Sequence, residues 1–236
     1  VRVWLETYRY WNQGGKVNVM SMLQLISDSC RGDISSSLPD VQMTPDIGLI
    51  HPLLKDRMTY IESPRSYLDW RLSSIAYEKA QHQNFDLAPI DSPVVAILLY
   101  RKHVITEQQY LYELITLMER QGLIPVPIFI NGVEAHTIVR DLLTSTQEID
   151  AVENGNYQRD SSFQPSMAVA VDAIVNTIGF PLVGGPAGSI EAGRNLDISG
   201  KLLEGMNVPY FVAGPLLLQS IQQWKDYGVL GLQSWP

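Results

Sequence analysis

The residues best suited to chemistry follow two apolar runs of the sequence. Arg101-Lys102-His103 comes directly after Val94–Tyr100, and Asn131-Gly132-Val133-Glu134 comes directly after Ile124–Ile130. Arginine and lysine bind carboxylates, and histidine accepts a proton or binds a metal. The alternative is a solvated strand end in which His103 only hydrogen-bonds to a neighbouring loop. The residue types and their spacing favour the two interpretations equally.

A third candidate is the glycine-rich turn Gly184–Gly188, which precedes a predicted helix that begins at Ser189. Free backbone N–H groups and the helix dipole favour an anion at such a turn. The turn does not match a P-loop, because no Lys-Ser/Thr pair follows it, and it lacks the spacing of a dinucleotide fingerprint. We therefore favour a tight strand-to-helix turn that needs small residues.

The remaining polar residues match no metal or nucleophile signature. Glu134 and His136 lie at a predicted helix start, where the helix dipole alone accounts for the carboxylate. His51 lies in a loop and His82 ends a helix, and neither has a sequence neighbour that completes a cluster. Four scattered histidines and one cysteine meet no ligand spacing, and no Gly-x-Ser-x-Gly elbow is present. The sequence predicts no metal site.

The composition excludes several classes of protein. The 236 residues carry 17 basic and 25 acidic side chains, a net charge of −8, and 45% of them are hydrophobic. This hydrophobic fraction argues against disorder, and the net charge argues against a nucleic-acid partner. No apolar run reaches the roughly 18 residues of a membrane helix. The lone Cys30 closes no disulfide and indicates a reducing compartment. Both ends of the chain suggest a piece of a longer polypeptide.

The second part of the chain alternates strands with helices. The apolar runs that predict strands are Val94–Tyr100, Ile124–Ile130, Ala173–Gly179 and Val208–Ala213. Helical crossovers between them predict an α/β fold with a parallel four-stranded sheet and helices on both faces, flavodoxin- or Rossmann-like. Ligands bind such sheets beyond the carboxyl ends of the strands, where the candidate residues gather.

The pattern of apolar and helix-capping residues predicts that residues 1–88 form a mainly helical segment, part of a larger domain. The same pattern predicts that residues 89–236 form the α/β domain. The boundary falls in the linker 83–93, which contains two prolines. Residues 31–62 are predicted to be irregular. Ser63-Pro64 predicts the start of a helix that runs to about His82.

Several shorter signals fix element ends. Predicted N-terminal caps are Asn18, Thr106 (a capping box with Gln109), Asn131 (with Glu134) and Ser220 (a capping box with Gln223). Residues 144–166 are predicted to form a long polar loop. Pro125 and Pro127 remove ladder donors, which predicts an edge position or a late start for their strand.

Several segments, all in one order along the chain, are specific enough to compare with known families. They are Gly48–Pro52 (GLIHP), Tyr67–Trp70 (YLDW), Arg101–Thr106 (RKHVIT), Gly122–Gly132 (GLIPVPIFING), Gly179–Ala187 (GFPLVGGPA), Val208–Pro215 (VPYFVAGP) and Gln219–Trp224 with Leu230–Gln233. Together they resemble the large H subunit of magnesium chelatase and, beyond it, the related cobaltochelatase large subunit. Residues 188–194 depart from the family pattern, which leaves the metal and the pigment open.

The resemblance implies a fragment of a porphyrin-binding subunit that inserts Mg²⁺ into protoporphyrin IX during chlorophyll or bacteriochlorophyll synthesis. ATP is hydrolysed by AAA+ partner subunits, named I and D, and an accessory porphyrin carrier is a further implied partner. Such a subunit works in the bacterial cytoplasm or the chloroplast stroma. Most catalytic residues are expected beyond Pro236, so we expect no chelation by this chain alone.

With a porphyrin as the implied ligand, the polar and glycine-rich residues at the predicted strand ends become candidate site residues. The candidate porphyrin-binding residues are Arg101, Lys102, His103, Gly184 and Gly185. The candidate catalytic residues are His103, Glu134 and Glu191. The alternatives are a piece of a cobaltochelatase that acts on a corrin ring, a docking module for the ATPase partners, and a spacer domain of the same subunit.

Overall fold

The computed structural model describes residues 2–32, 39–57, 60–131, 134–179, 182–183, 192–214, 216 and 219–228. The helices are α1 Arg2–Gln13, α2 Lys16–Arg31, α3 Pro64–Arg71, α4 Ser74–Gln83, α5 Arg101–Ile105, α6 Gln109–Arg120, α7 His136–Leu142, α8 Thr146–Glu153, α9 Ala192–Met206 and α10 Ile221–Tyr227, with a 3₁₀ helix over Pro52–Arg57. The strands are β1 Ile47–Leu49, β2 Val94–Tyr100, β3 Ile124–Ile130, β4 Leu143–Thr144, β5 Val169–Ala170, β6 Ala173–Asn176 and β7 Tyr210–Val212.

Within the described residues, the main sheet has five strands in the order β1-β3-β2-β6-β7. Strands β3, β2, β6 and β7 are parallel to one another, whereas β1 pairs antiparallel with β3. The α/β class and a mostly parallel sheet are confirmed, but the sheet has five strands in the described residues, not four, and a flavodoxin- or Rossmann-like fold is not confirmed. The sequence missed β1 because it is three residues long and lies in the proline-rich stretch 31–62, which was predicted to be irregular. A small parallel pair, β4–β5, was missed for the same reason of length.

The predicted edge position of β3 is wrong, because β3 lies between β1 and β2, although its pairing with β1 starts late, at Ile128, beyond both prolines. Ile50 N donates to Pro127 O, and Asn131 N donates to Asp46 O, so the odd-numbered residues of β3 direct their backbone groups toward β1. The even-numbered residues hydrogen-bond to β2. Because β1 pairs only with Ile128–Ile130, the missing donors of Pro125 and Pro127 lie where no ladder bond is needed.

Helices cover both faces of the sheet, as predicted. On β2, Ala96 and Leu98 face the larger core, which includes residues of α3, α7 and α9. Val95, Ile97 and Leu99 face the opposite core, formed mainly with α6. Side chains alternate across a strand, so a strand buried on both faces is apolar throughout. This is why β2 was recognisable from sequence alone.

The predicted caps had mixed outcomes. Ser220 forms the predicted capping box with Gln223, and Ser63 caps α3. Thr106 instead ends α5, and α6 begins only at Gln109. Asn131 bonds to Asp46 and caps nothing, because α7 begins at His136. Asn18 lies inside α2 and ties that helix to Gln42 through both its amide groups.

Three predicted segment descriptions also change. The helix predicted over 63–82 is two helices, α3 and α4, because the Ser73 hydroxyl accepts a bond from Ala76 N and starts a new helix. The predicted loop 144–166 contains α8, which Ser145 caps in the same way. In the described part of the chain, no helix is long and apolar enough to cross a membrane.

Candidate functional site

The carboxyl end of β2 builds a cluster of two tyrosine rings around one histidine. Strand β2 passes directly into α5, a helix of five residues that turns His103 inward until only 4% of it is exposed. The His103 ring makes edge contacts with Tyr100 and Tyr110, at centroid distances of 5.5 and 5.9 Å. His103 Nδ1 lies 2.8 Å from the Tyr110 hydroxyl. We call Tyr100, His103 and Tyr110 the rim cluster.

The surroundings of the rim cluster keep His103 neutral. Burial, with a smaller effect from the Lys102 charge, lowers the pKa of His103 from 6.5 to about 4. Burial raises the pKa of Tyr110 to about 12, although the nearby Thr177 hydroxyl opposes that shift. At neutral pH the pair is therefore an uncharged imidazole beside an uncharged phenol. The two groups share a hydrogen bond, and a proton can pass between them when a neighbouring charged group stabilises the product.

The two cations beside His103 have different positions. Lys102 is exposed at the surface of α5. Arg101 is buried, and its Nε and Nη2 atoms donate to Pro45 O, Thr44 O and Gln13 Oε1. Arg101 therefore ties the rim to α1 and to the segment before β1. Its role toward a ligand stays a prediction, and its structural role was not foreseen.

The neighbouring strand ends add polar groups at the same edge of the sheet. Thr177 follows β6 and donates from its hydroxyl to Leu98 O of β2. Asn176, the last residue of β6, donates to the Tyr210 hydroxyl of β7. Glu134, beyond β3, lies 3.0 Å from His136 Nδ1, and no bond joins it to His103 in the part of the chain that the structure describes.

The structure does not describe all of the predicted site residues. Gly184, Gly185 and Glu191, together with the helix start at Ser189, lie outside the described residues. Within the described ranges, no group of three or more histidine, cysteine or carboxylate side chains could hold a metal ion.

Sequence analysis missed a second histidine cluster, which lies inside the protein. Arg71 Nε and Nη2 donate to the two carboxylate oxygens of Glu119 at 2.8 and 2.6 Å, and Ala88 N donates to the same carboxylate. His51 Nε2 lies 3.6 Å from Glu119 Oε1. The side chains of all three charged or titratable residues are completely buried. We call His51, Arg71 and Glu119 the buried cluster.

The protonation of the buried cluster is set by its contacts. Burial lowers the pKa of His51, although Glu119 opposes the shift. Burial alone would raise the pKa of Glu119, but the nearby His51 ring and the hydrogen bonds from Arg71 and Ala88 N together lower it. His51 Nδ1 accepts from Leu53 N, so the neutral ring carries its proton on Nε2, facing the carboxylate.

Aromatic rings pack against the buried cluster from the other side. The His51 ring lies edge-on to Trp70 and Phe85, at 5.2 and 5.4 Å between centroids. Tyr67 packs on both His51 and Trp70. Most of these residues belong to the segments GLIHP and YLDW. The resemblance of these two segments to the family was the only sequence signal that pointed to the buried cluster. The buried cluster joins α3 to α6, and its completely buried side chains present no surface to a ligand.

A cavity of about 230 Å³ lies between the α1–α2 turn, the 3₁₀ helix and α5. Its lining includes Lys16, Lys55, Ile105 and Tyr112. Pockets for drug-sized ligands usually measure ~300–1,000 Å³, so this cavity is too small for a tetrapyrrole. Two larger depressions, of about 460 and 410 Å³, lie between α8 and α9 and along α6. Neither is lined by a residue of the rim cluster or by the carboxyl end of a parallel strand, so we keep the rim cluster as the candidate site.

Comparison with known proteins shows which sequences resemble this chain. Residues 8–234 match the CobN/Magnesium Chelatase family. The chain is 33% identical over 230 residues to the magnesium-chelatase H subunit of Chlorobaculum parvum, and 25% identical over 235 residues to the chloroplastic ChlH subunit of magnesium chelatase from rice, Oryza sativa subsp. indica. Each alignment covers 98% of this chain and 15% of the relative.

Among solved structures, the catalytic subunit of cobaltochelatase from Mycobacterium tuberculosis aligns with a TM-score of 0.45 and 17% identity, over 98% of this chain and 15% of that one. The chain thus spans about one seventh of the length of these proteins. The family match extends over nearly the whole sequence. This chain belongs to the CobN/magnesium chelatase family.

Proposed function

We propose that this chain is part of the porphyrin-binding subunit of a magnesium chelatase, which inserts Mg²⁺ into protoporphyrin IX. The observation that carries the proposal is the 33% identity to a magnesium-chelatase H subunit along 98% of the chain. Because the chain spans only 15% of that relative, the rest of the subunit would complete the reaction. ATP hydrolysis would come from the AAA+ partner subunits I and D.

The fold supports a ligand role for the region beyond the carboxyl ends of the parallel strands. The four parallel strands stand in the spatial order second, first, third, fourth, so the chain reverses direction across the sheet beside β2. In flavodoxin-like sheets this reversal opens a crevice at the strand ends, where ligands bind. In this chain the rim cluster lies at the end of β2, on one side of that position. We therefore propose that the porphyrin contacts the carboxyl ends of these strands.

The chemistry of a porphyrin fits an exposed cation beside a neutral aromatic surface. The macrocycle is flat and apolar and carries two propionates, so it needs ring contacts and at least one cation. Lys102 is exposed and would pair with a propionate. The Nε and Nη2 atoms of Arg101 already form hydrogen bonds within the protein, so we expect Lys102 to contribute more to the affinity for porphyrin.

His103 would contribute a proton-accepting or hydrogen-bonding nitrogen. Metal insertion removes two pyrrole protons and strips water from Mg²⁺, which holds its water tightly. With a pKa of about 4, His103 is a weak base in this state. A ligand carboxylate brought close to the ring would raise that pKa, because an opposite charge favours the charged form. Tyr110 would act as a positioning residue that fixes the orientation of the ring.

Porphyrin binding is tested first on this chain. A soluble protoporphyrin analogue is titrated while tryptophan fluorescence is followed at two protein concentrations. Saturable quenching with the same dissociation constant at both concentrations supports the proposal, and Lys102→Ala then weakens binding several-fold. Linear quenching without saturation would mean that the chain has no porphyrin site of its own and would favour a docking or spacer role.

Chelatase activity is tested in a longer protein. The matching stretch of the Chlorobaculum parvum H subunit is replaced by residues 1–236 and assayed with its ATPase partners, Mg²⁺ and protoporphyrin. Activity that falls with His103→Ala, while porphyrin affinity is retained, supports the role of His103 in metal insertion. Unchanged turnover and affinity would remove His103 from the site. Activity with cobalt and a corrin, but none with Mg²⁺, would favour the cobaltochelatase alternative.

A further inference from the structure

The two edges of the main sheet differ in how they end. At one edge, Leu49 of β1 exchanges two backbone hydrogen bonds with Ile61, which covers the outer side of that strand. At the other edge, β7 pairs with β6, and within the described residues no strand pairs with its outer side. Protein sheets usually protect an open edge with a very short strand, with lysine or proline, or with a bulge. Strand β7 is short, but its stretch Tyr210–Val212 (YFV) contains no charged residue and no proline.

The hydrogen bonds between β7 and β6 show which backbone groups of β7 have no partner on β6. Ile174 N donates to Pro209 O, and Ala213 N donates to Asn176 O, so residues 209, 211 and 213 face β6. Backbone direction alternates along a strand, and therefore the N–H and C=O groups of Tyr210 and Val212 face outward. Two donors and two acceptors are thus aligned for a further strand.

The side chains around this edge are also uncovered. Phe211 and Val212 point to opposite faces of the sheet, and they are 56% and 66% exposed. Parallel strands are normally covered on both faces. Helix α10 follows β7 and has no buried residue, and its Ile221, Trp224 and Tyr227 are exposed as well. The region has the apolar composition of a sheet interior and the exposure of a surface.

We propose that the β7 edge is completed, in the longer subunit to which this chain corresponds, by another strand of the same polypeptide. Two observations select this occupant. The relatives are nearly seven times as long as their matched stretch, so most of their chain is available to cover this region. The edge also continues a parallel sheet, and parallel strands are joined through long crossovers within one chain. The inference does not depend on porphyrin binding.

Residue-resolved hydrogen exchange tests the proposal with an internal control. It compares the 236-residue chain with the chimera in which these residues replace the matching stretch of the Chlorobaculum parvum H subunit. The amides of Tyr210 and Val212 should exchange at least about tenfold more slowly in the chimera. Those of Phe211 and Ala213, already bonded to β6, should be protected in both. Equal rates for Tyr210 and Val212 in the two proteins would overturn the proposal.

A pair of proline variants provides a second test. Val212→Pro removes only an outward donor, so it should leave the unfolding midpoint of the 236-residue chain unchanged and lower that of the chimera. Phe211→Pro removes a donor to β6 and should lower both midpoints. Equal losses from the two variants in the 236-residue chain would contradict the assigned direction of the amides.

Two further outcomes are decided by the same measurements. If the chimera does not fold, the exchange comparison is made between the Chlorobaculum parvum H subunit and its own matching stretch, at the aligned positions. If protection of Tyr210 and Val212 in the 236-residue chain rises with protein concentration as a dimer forms, the occupant is a second copy, and the proposal is wrong.

Discussion

The buried cluster and the rim cluster each contain one nearly inaccessible histidine with a lowered pKa and edge contacts to aromatic rings, yet their hydrogen-bonding partners and their positions in the fold differ. His51 faces a carboxylate that is already paired with Arg71, and aromatic rings pack around it. His103 faces a phenol and lies within the short helix α5, directly after a central strand.

The difference shows that burial and a shifted pKa do not by themselves indicate a functional histidine. The buried cluster satisfies its charges internally, which is how buried ions are tolerated. The rim cluster has no such internal counter-charge among its three members. Its position at the carboxyl end of a parallel strand, where a ligand can approach, is the feature that favours function.

The largest expected effect is on the buried cluster. Glu119→Gln leaves Arg71 charged and unpaired in the core, which should lower the free energy of unfolding by about 3–5 kcal/mol. Urea unfolding followed by tryptophan fluorescence measures the change. Glu113→Gln, on an exposed part of the same helix, is the matched control and should change stability by less than about 0.5 kcal/mol. Similar effects from the two variants would mean that the buried ion pair is not structural.

The next effect concerns the pH dependence of stability. Between pH 6.5 and about 4, the unfolded chain binds a proton that folded His103 refuses, so stability falls as the pH falls through this window. Removing the imidazole in His103→Gln should reduce the slope by up to about 1.4 kcal/mol per pH unit. The slope is measured from urea unfolding at a series of pH values.

The same experiment on His51→Gln sharpens the comparison. The pKa of His51 is lowered as well, so this variant should also flatten the profile below pH 6.5. An unchanged slope in His103→Gln, with a changed slope in His51→Gln, would mean that His103 is accessible and protonates in the folded protein.

A smaller effect is expected from the hydroxyl of Tyr110. Tyr110→Phe removes the 2.8 Å contact with His103 Nδ1 and should cost about 1 kcal/mol, the usual net contribution of one hydrogen bond. Nitrogen NMR of the His103 ring should also show a mixture of tautomers in place of one. Tyr112→Phe, on the same helix, is the control and should change neither quantity; an unaltered ring spectrum in Tyr110→Phe would show that the phenol does not position His103.

The smallest effect on stability is expected from Lys102. Its side chain is exposed, so Lys102→Ala should change the free energy of unfolding by less than about 0.5 kcal/mol. If the rim binds porphyrin, the same variant weakens that binding several-fold. A variant that loses stability but keeps its porphyrin affinity would give Lys102 a structural role and make the rim more like the buried cluster.

How much of the fold could be predicted depends on the length and regularity of each element. Strands β2 and β3 were predicted to the residue, because each is an unbroken apolar run buried on both faces. Strand β1 could not be predicted, because its three residues form a strand only through pairing with β3, more than 70 residues away. The false capping box at Thr106 arose because its hydroxyl instead donates to Lys102 O of the preceding helix.

The candidate site was predictable in part for a similar reason. His103 was found because it follows a recognisable strand. Its partner Tyr110 was not among the candidate residues, and the contact between them depends on α5, which the sequence did not reveal. The buried cluster was missed because its members are 20 and 48 residues apart, and tertiary contacts alone bring them together.

The ion pair between Arg71 and Glu119 has a consequence for where the chain can be cut. A piece that starts at residue 89, the predicted domain boundary, would keep Glu119 but lack Arg71, His51 and all of β1. Its carboxylate would face an emptied space, and the outer side of Ile128–Ile130 would be bare. Limited proteolysis in the 83–93 linker should therefore cut the chain into two fragments that remain bound to each other. Neither fragment should refold once it is separated from the other.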